Sequence, residues 1–424
     1  MTEPKMTLRD VSCADDYDPD SMPVDKARAL IRAFLHPVTT IERVNVRAAL
    51  GRVLAEDVIS PIDVPAHDNS AMDGYALRHA DVDGRDNTTL AIVGTAFAGK
   101  PFDGAIGAGQ CVRIMTGGVV PQGADAIVMQ EHAQAAEGKV TIGAGHRKGQ
   151  NLRKAGEDLA RGQPALHRGT LMRPADIGLV ASLGIGEIGV YRRLRVAFFS
   201  TGDELVSIGS QPGPGQIFDS NRYTILGMLE RLGVDAIDMG VVRDDPALLE
   251  DAFRQAAECA DVVLTSGGVS VGEADFVKAL LDQLGEVLFW KIAMKPGRPL
   301  AYGRVGSAHF FGLPGNPVSV MVTFYQFVRD ALLVLMGRDP VLPAPTLKVA
   351  CTSPLKKAPG RTEFQRGILS QAADGTWSVR ATGEQGSGIL SSMAQANCFI
   401  ILPTDQGNVA AGATVDVQMM EGVV

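Results

Sequence analysis

Short apolar runs alternate with amphipathic stretches between about residues 194 and 338, and this is the clearest pattern in the chain. The run RVAFFS at 195–200 resembles a strand that is buried on both faces of a parallel sheet. The pattern predicts strands at 195–200, 236–242, 262–265, 287–292 and 309–312. It predicts helices at 221–232, 246–259, 273–284 and 317–335. Alternating strands and helices are typical of a doubly wound parallel sheet, whose ligands bind beyond the carboxyl ends of the strands.

The rest of the chain divides into further domains around this α/β domain, which we place at 194–342. Residues 343–424 contain short alternating runs split by glycine turns, which predict a C-terminal β-barrel domain. Residues 61–152 predict an inserted β-rich domain, and 22–60 with 153–193 predict a discontinuous mixed α/β domain that the insertion interrupts. Residues 1–21 are acidic and poor in apolar residues, and we expect a flexible tail there.

Composition excludes several classes of protein. Lys plus Arg 40 against Asp plus Glu 48 gives a net charge of −8, which argues against nucleic-acid binding. The five cysteines are scattered without CxxC spacing, so neither a disulfide framework nor a zinc site is expected. We find no apolar run of membrane-spanning length and no secretory signal, and we expect a cytoplasmic protein with no membrane contact. The 48 glycines of 424 residues exceed the usual share, which favours tight turns and backbone anion sites.

Three loops follow predicted strands at the carboxyl edge of the sheet. They are STGDE (200–204), TSGGVS (265–270) and LPGNP (313–317). Glycine allows a ligand to approach the backbone, and N–H groups before a helix bind anions. Each loop alone could equally be a connector or a helix cap, but three at one sheet edge favour a ligand site.

Carboxylates are predicted at the same edge. Glu204 and Asp203 follow the first strand, Asp244 follows the second strand along the chain, and Asp275 follows the glycine loop. Such crowding is unfavourable unless a cation or proton compensates the charge. We therefore favour Mg²⁺ near a phosphorylated ligand over a bare acidic patch.

Basic residues form a separate group. Lys291, Lys295 and Arg298 lie around a predicted strand end, and side chains of this kind can converge on a tetrahedral dianion. Surface lysines at the sheet margin are the alternative. Arg361, Arg366 and Ser387 could complete such a pocket only if the C-terminal domain folds back.

Acidic and hydroxyl residues also occur in turns of the N-terminal half, at Asp73, Thr116 and Asp158. The residues alone do not indicate whether these turns approach the sheet. The chain contains no GxSxG, Walker A or GxGxxG motif and no HxxxH spacing, so a Ser or Cys nucleophile is unsupported. Carboxylates, Mg²⁺, glycine loops and cations together indicate phosphoanhydride or oxyanion chemistry.

Seven motifs in order resemble the molybdopterin molybdenumtransferase family, which includes MoeA and the gephyrin E domain. They are DNSAMDGYA (68–76), RIMTG (113–117), GED (156–158), STGDE (200–204), SGGVSVGEAD (266–275), KPG (295–297) and LPGNP (313–317). The resemblance runs from about residue 22 to the C-terminus. It implies that adenylyl-molybdopterin and molybdate are the substrates, and that Mg²⁺-dependent release of AMP accompanies insertion of molybdenum to give the molybdenum cofactor.

The resemblance also implies an architecture and a set of site residues. It implies four domains per subunit in a homodimer, with Asp73 and Thr116 reaching across to the other subunit. The implied catalytic residues are Asp73, Asp158, Glu204, Asp244 and Asp275, of which Glu204, Asp244 and Asp275 would hold Mg²⁺. The implied substrate-binding residues are Thr116, Ser200, Thr201, Gly202, Ser266, Gly267, Gly268, Pro314, Gly315, Asn316 and Pro317. The implied molybdate-binding residues are Lys291, Lys295, Arg366 and Ser387; Arg298 stands where many relatives carry Lys.

Two other functions stay open at this point. One is a molybdopterin-binding or scaffolding protein that has lost turnover. The other is the preceding adenylyltransferase step, against which the β insertion and the C-terminal barrel argue. The adenylyltransferase and recipient molybdoenzymes are also expected as protein partners.

Overall fold

The computed structural model describes residues 21–84, 87–268 and 274–420, without the side chains of 274–278 and 289. Of the acidic stretch expected to be a flexible tail, residues 1–20 lie outside this description. The chain forms two compact units. The first contains the residues up to Glu42, Gly51–Ala55 and the residues from Val190 onward, and the second contains Arg43–Leu50 and Glu56–Gly189.

A six-stranded sheet lies at the centre of the first unit. Its strands are β1 (Arg195–Thr201), β2 (Asp235–Val242), β3 (Val262–Ser266), β4 (Gly285–Lys291), β5 (Pro299–Val305) and β6 (Ala308–Leu313). Their order across the sheet is β2-β1-β3-β6-β5-β4. The neighbouring strands β2, β1, β3 and β6 run parallel to one another. β4, β5 and β6 pair antiparallel, so the doubly wound sheet is confirmed but is mixed rather than wholly parallel. β5 was not predicted, because the prolines that precede and begin it resemble a loop.

Four helices belong to this sheet: α1 (Asn221–Leu232), α2 (Pro246–Cys259), α3 (Ala274–Leu284) and α4 (Pro317–Leu335). α1 ends at Gly233, whose φ of 73° places it in the left-handed region that glycine tolerates. α4 contains a π-helical segment at Phe324–Val328. The core on one face includes Phe199, Phe253 and Phe310, whose rings meet edge to face.

α4 is long and apolar enough to cross a membrane, but it is a core helix. The most apolar stretch of 18 residues in this helix is 83% buried inside the protein. Burial of this kind is typical of the central helix of a soluble domain rather than of a membrane span.

The first unit ends in a closed β structure, which confirms the predicted C-terminal barrel. Its strands are Thr346–Cys351, Thr362–Gln371, Trp377–Ala381, Cys398–Leu402 and Thr414–Met419. Thr362–Gln371 pairs with both Trp377–Ala381 and Cys398–Leu402, which closes the ring. The short strand Met294–Lys295, which follows β4, also pairs with Thr362–Gln371 and so brings Lys295 to the barrel. A short helix at Leu390–Gln395 was not predicted.

The remaining elements of the first unit are short. They are the helix Val24–Ala33 and the paired strands Leu205–Val206 and Ile217–Phe218. Ile41–Asn45 pairs with Glu187–Tyr191, and both strands contain residues of each unit.

The second unit is rich in β structure, as predicted. Its main sheet contains six strands in the order Ala126–Met129, Gly74–Leu77, Gln110–Ile114, Asn87–Ala96, Lys139–Gly143 and Ala133–Ala136. Smaller pairs join Asn69–Ser70 to Leu152–Arg153 and Val58–Ile59 to Pro164–Leu166. Its helical elements are Val46–Ala48, His79–Asp81, Gln130–His132 and Pro174–Ser182.

Candidate active site

The carboxyl ends of β1, β3 and β6 lie side by side in the first unit. Ser200 at the end of β1 is in register with Ser266 at the end of β3, and Ser266 is in register with Leu313 of β6. Ser200 and Ser266 are fully buried. The three predicted loops therefore begin at one edge of the sheet, which is where ligands of such sheets bind.

Gly267 allows two of these loops to touch. Its φ is +94°, and a Cβ built on it would lie 2.6 Å from the carbonyl oxygen of Thr201. Gly315 from the third loop also lies next to Gly267. Both the backbone conformation and the close approach require glycine at 267, whose own N–H donates to the carbonyl oxygen of Leu313 at 3.1 Å.

Two side chains at the start of α1 tie these loops together, and sequence reasoning missed both. Ser200 Oγ donates to Asp219 Oδ1 at 3.0 Å. Asn221 Nδ2 donates to Ser266 Oγ at 2.7 Å and to the carbonyl oxygen of Gly315 at 2.7 Å. The motif DSN after an apolar pair, directly before a predicted helix, was the available signal.

Three polar atoms in this cluster are buried without a hydrogen-bond partner among the described residues. They are Thr201 Oγ1, Asp219 Oδ2 and Asn221 Oδ1. Asp219 Oδ2 lies 3.4 Å from Arg222 Nε, an ion pair without hydrogen-bond geometry. Buried polar atoms normally have partners, so a water or a ligand is expected to satisfy these three.

The predicted carboxylates are exposed at the ends of neighbouring strands. Glu204 follows β1 and Asp244 follows β2, whose Val242 is in register with Thr201. Asp245 caps α2 by accepting from the N–H groups of Ala247 and Leu248, so it is a helix cap. Asp275 lies in the first turn of α3, and its side chain is outside the described part. Among the residues that the structure describes, no three His, Cys, Asp or Glu side chains form a metal cage.

A cavity of about 730 Å³ lies where the sheet domain meets the C-terminal barrel. Its walls come from the Met294–Pro299 segment, the Pro314–Ser319 segment and loops of the barrel. Four cationic side chains line it, Lys295, Arg298, Lys356 and Arg361, against one acidic side chain, Glu384. An excess of cations in a concave site favours an anionic ligand.

Lys295 is held at the cavity wall by a buried carboxylate. Its Nζ lies 3.6 Å from Glu363 Oε1, and the Lys295 side chain remains 53% exposed. Gln365, which also lines the cavity, donates to Glu363 Oε2 at 2.9 Å. Glu363 therefore orients Lys295 while leaving its ammonium group accessible.

Arg366 lies behind the cavity wall. It is 1% exposed, and its guanidinium donates to the carbonyl oxygens of Glu384, Gln385 and Gly386 and to Ser392 Oγ. Burial lowers the pKa of Arg366 to about 10, so it stays charged at neutral pH. These bonds shape the loop that ends in Ser387, a lining residue whose carbonyl oxygen accepts from Val318 N–H of α4.

The cavity is lined by two of the four residues predicted to bind molybdate, Lys295 and Ser387, whereas the described lining does not include Lys291 or Arg366. It is also lined by three residues predicted to bind the pterin substrate, Pro314, Gly315 and Asn316. Pro317 is the first residue of α4. Lys356 and Ser319, which line the cavity, were missed because nothing in their sequence surroundings marks them.

The second unit contains a separate acidic group. Asp73 Oδ1 accepts from both the backbone N–H and the hydroxyl of Thr116, each at 2.7 Å. These bonds, the hydroxyl bond first, lower the pKa of Asp73, so its carboxylate is charged at neutral pH. Asp158 is exposed in the same unit.

Comparison with known proteins covers nearly the whole described chain. Three family models match: "MoeA N-terminal region (domain I and II)" at 22–184, "Probable molybdopterin binding domain" at 197–334 and "MoeA C-terminal region (domain IV)" at 348–420. A molybdopterin molybdenumtransferase from Haemophilus influenzae is 46% identical over 93% of this chain and 98% of its own length. The chain belongs to the MoeA family.

Further relatives agree with this assignment. A molybdopterin molybdenumtransferase from a Nostoc species is 36% identical over 88% of this chain and 87% of its own length. The crystal structure of a molybdopterin biosynthesis MoeA protein from Pyrococcus horikoshii OT3 has a TM-score of 0.83 and 28% identity, covering 94% of this chain and all of that one. This MoeA-family chain is a molybdopterin molybdenumtransferase that acts in molybdenum cofactor biosynthesis.

The family match also bears on the site. The region 197–334, described as a probable molybdopterin binding domain, contains the loops at the ends of β1, β3 and β6. It also contains Lys295 and Arg298 on one wall of the cationic cavity. The strand-end loops and the cavity are thus parts of one MoeA-family domain and its junction with the barrel.

Proposed function

We propose that the chain transfers molybdenum from molybdate to adenylyl-molybdopterin and releases AMP, with molybdate in the cationic cavity and the nucleotide-linked pterin at the strand-end loops. The observation that carries the proposal is the shared Pro314–Asn316 segment. Gly315 lies beside Gly267 of the glycine loop and also lines the cavity, so one loop borders both sites. Two substrates that must react with each other would then be bound next to each other.

The cavity suits a small dianion. Lys295, Arg298 and Arg361 supply charge and hydrogen-bond donors, and guanidinium groups can donate two parallel bonds to one oxyanion. Asn316 and Ser319, at the amino-terminal end of α4, also line the cavity, and the positive end of a helix dipole favours negative charge. We therefore assign molybdate binding to Lys295, Arg298, Arg361 and Ser387.

We assign a different role to two residues that were expected to bind molybdate. The donors of Arg366 are directed at the 384–386 carbonyl oxygens and Ser392, so we propose that Arg366 positions the Ser387 loop instead of binding the anion. Lys291 is exposed at the end of β4 and lies outside the described cavity lining, so we propose no direct contact with molybdate.

Mg²⁺ is the cofactor we propose, held by Glu204 and Asp244. Mg²⁺ in nucleotide sites usually takes only one or two protein carboxylates, the rest of its shell being water and substrate phosphate. Two exposed carboxylates on neighbouring strand ends fit this requirement, and Asp275 is retained as a third candidate. When bound, the ion would neutralise phosphate charge near the glycine loop. Glu204→Gln is expected to keep the pterin nucleotide bound but lose turnover.

We also propose that the protein acts as a cytoplasmic homodimer in which Asp73 and Thr116 of one subunit complete the site of the other. Mixing inactive Asp73→Ala with inactive Glu204→Gln tests this sharing. Random mixing would restore about a quarter of wild-type activity, because half the dimers are mixed and each has one intact site. If each site lies within one subunit, mixing restores nothing.

AMP release tests the function directly. Purified protein with adenylyl-molybdopterin, molybdate and Mg²⁺ should release AMP at a rate that depends on molybdate. Absence of AMP release, with the pterin nucleotide still bound, would favour a scaffolding protein instead. Consumption of ATP with unmodified molybdopterin would indicate the preceding adenylyltransferase step.

A further inference from the structure

Asn221 connects two loops through a single amide group. It is the first residue of α1, is 7% exposed, and its Nδ2 donates at 2.7 Å to Ser266 Oγ and at 2.7 Å to the carbonyl oxygen of Gly315. The first partner belongs to the glycine loop after β3, and the second belongs to the loop that lines the cationic cavity. This side chain adds to the backbone bond from Gly267 N–H to the carbonyl oxygen of Leu313 at 3.1 Å, which also joins the two loops.

The amide has the donor set that this position needs. An Asn side chain carries two N–H donors on one nitrogen, and here each donor serves one loop. Ser and Thr have one donor, an ionised Asp has none, and Gln is longer by one methylene.

The base of this connection is hydrogen-bonded to the sheet. Asp219, two residues earlier, accepts from Ser200 Oγ at the end of β1 and from the backbone N–H of Arg222 at 3.2 Å. The start of α1 is therefore tied to β1, and Asn221 extends the same anchor to the loops after β3 and β6. A side chain whose supports are fixed in this way can hold a site to within the tolerance that catalysis requires.

We propose that Asn221 is a positioning residue that fixes the glycine loop and the cavity wall relative to each other, and so aligns the two bound substrates for transfer. This inference rests on the proposed assignment of the two subsites. Each loop keeps its own binding groups when Asn221 is replaced, so each substrate still binds. The relative placement of the substrates is lost, and misplacement by about 1 Å can reduce a rate about 100-fold.

Steady-state kinetics of Asn221→Leu and Asn221→Ala test the proposal. Asn221→Leu keeps the branched shape of the side chain but has neither N–H donors nor charge, so it separates the lost donors from a lost volume. We expect kcat for AMP release to fall roughly 10- to 100-fold in both variants, with KM for each substrate within about threefold of wild type. Thr224→Ala is the control, because Thr224 Oγ1 donates to the carbonyl oxygen of Ser220, the residue before α1, and to no strand-end loop among the described residues. It should keep wild-type kcat.

The possible results separate this inference from the proposed function. An active wild type with unchanged kcat in Asn221→Leu would overturn the positioning role and leave the function standing. A rise in either KM that accounts for the whole loss would also overturn it, because Asn221 would then act on one subsite alone. An inactive wild type would refute the function itself. If Asn221→Ala fails to fold, Asn221→Leu decides.

Discussion

At the scale of single residues, the geometry distinguishes cations that face the cavity from cations that build its wall. Arg361 is exposed in the lining, whereas Arg366, five residues later, is buried behind it. Arg361 lies in the bend before the Thr362–Gln371 strand, whereas Arg366 lies within that strand, where its guanidinium donates to the carbonyl oxygens of residues 384–386. The identity of the residue alone does not indicate which of two arginines a ligand meets.

Lys295→Gln tests the anion-binding role of the cavity. The substitution removes the charge and keeps much of the length, and loss of a charged hydrogen bond is worth about 1.5–3 kcal/mol. We expect KM for molybdate to rise roughly 10- to 100-fold, measured by AMP release at varied molybdate. Lys348→Gln, which breaks an exposed pair with Asp416 on the barrel, should leave this KM unchanged. An unchanged KM in Lys295→Gln would contradict molybdate binding at this wall.

Arg366→Lys tests the positioning role of the buried guanidinium. A lysine keeps the charge but cannot reach the carbonyl oxygens of residues 384–386 and Ser392 together. Hydrogen exchange measured by mass spectrometry should become faster in the peptide containing Val318, whose N–H bonds to Ser387. Arg380→Lys on the neighbouring exposed strand face should exchange like the wild type. Equal exchange in Arg366→Lys and wild type would show that the loop does not depend on Arg366.

At the scale of elements, the glycine loop after β3 depends on one backbone conformation. Gly267→Ala places a Cβ against the Thr201 carbonyl and also imposes an unfavourable positive φ. We expect the free energy of unfolding to fall by about 1–3 kcal/mol in urea denaturation. Gly227→Ala in the middle of α1, where a Cβ meets nothing within 4 Å, should instead raise it by about 0.5–1 kcal/mol. Similar stability of the two variants would contradict the close approach.

The elements that the sequence predicted correctly are those with a strong local signal. α1 and α2 have the predicted bounds because an amphipathic pattern coincides with a glycine stop or an Asp-Pro start. β5 was missed because it begins at Pro299, which resembles a loop residue. Since β5 pairs antiparallel with both of its neighbours, the mixed character of the sheet was missed as well. The strand-end loops were predicted because alternation of strands and helices indicates parallel strands that end at one edge, but the role of Asn221 depends on side-chain contacts made across 45 and 94 residues. No local pattern encodes such contacts.

At the scale of the whole molecule, a buried histidine links stability to pH. Burial, with a smaller effect of Arg304, lowers the pKa of His309 in β6 to about 4, and its ring stacks on Tyr302. Its pKa in the unfolded chain is about 6.5. Between these values the unfolded state binds a proton that the folded state does not, so stability falls as pH falls from about 6.5 towards 4.

Urea denaturation at pH 7.5 and pH 5.0 measures this linkage. We expect the acid shift to remove roughly 2 kcal/mol more from the wild type than from His309→Gln, which cannot take up the proton. His132→Gln, at an exposed site of the second unit, should follow the wild type. If the free energy of unfolding falls equally in the wild type and in His309→Gln between pH 7.5 and pH 5.0, His309 does not govern the acid sensitivity.

The central claim is that the strand-end loops and the cationic cavity bind the two substrates side by side. A crystal structure with AMP and molybdate, with molybdenum located by anomalous scattering, tests it most directly. We predict the molybdenum peak inside the cavity, within contact of Lys295, Arg298 and Arg361, and the AMP phosphate at the Ser266-Gly267-Gly268 loop. A molybdenum peak outside the cavity, or a phosphate bound away from that loop, would contradict the account.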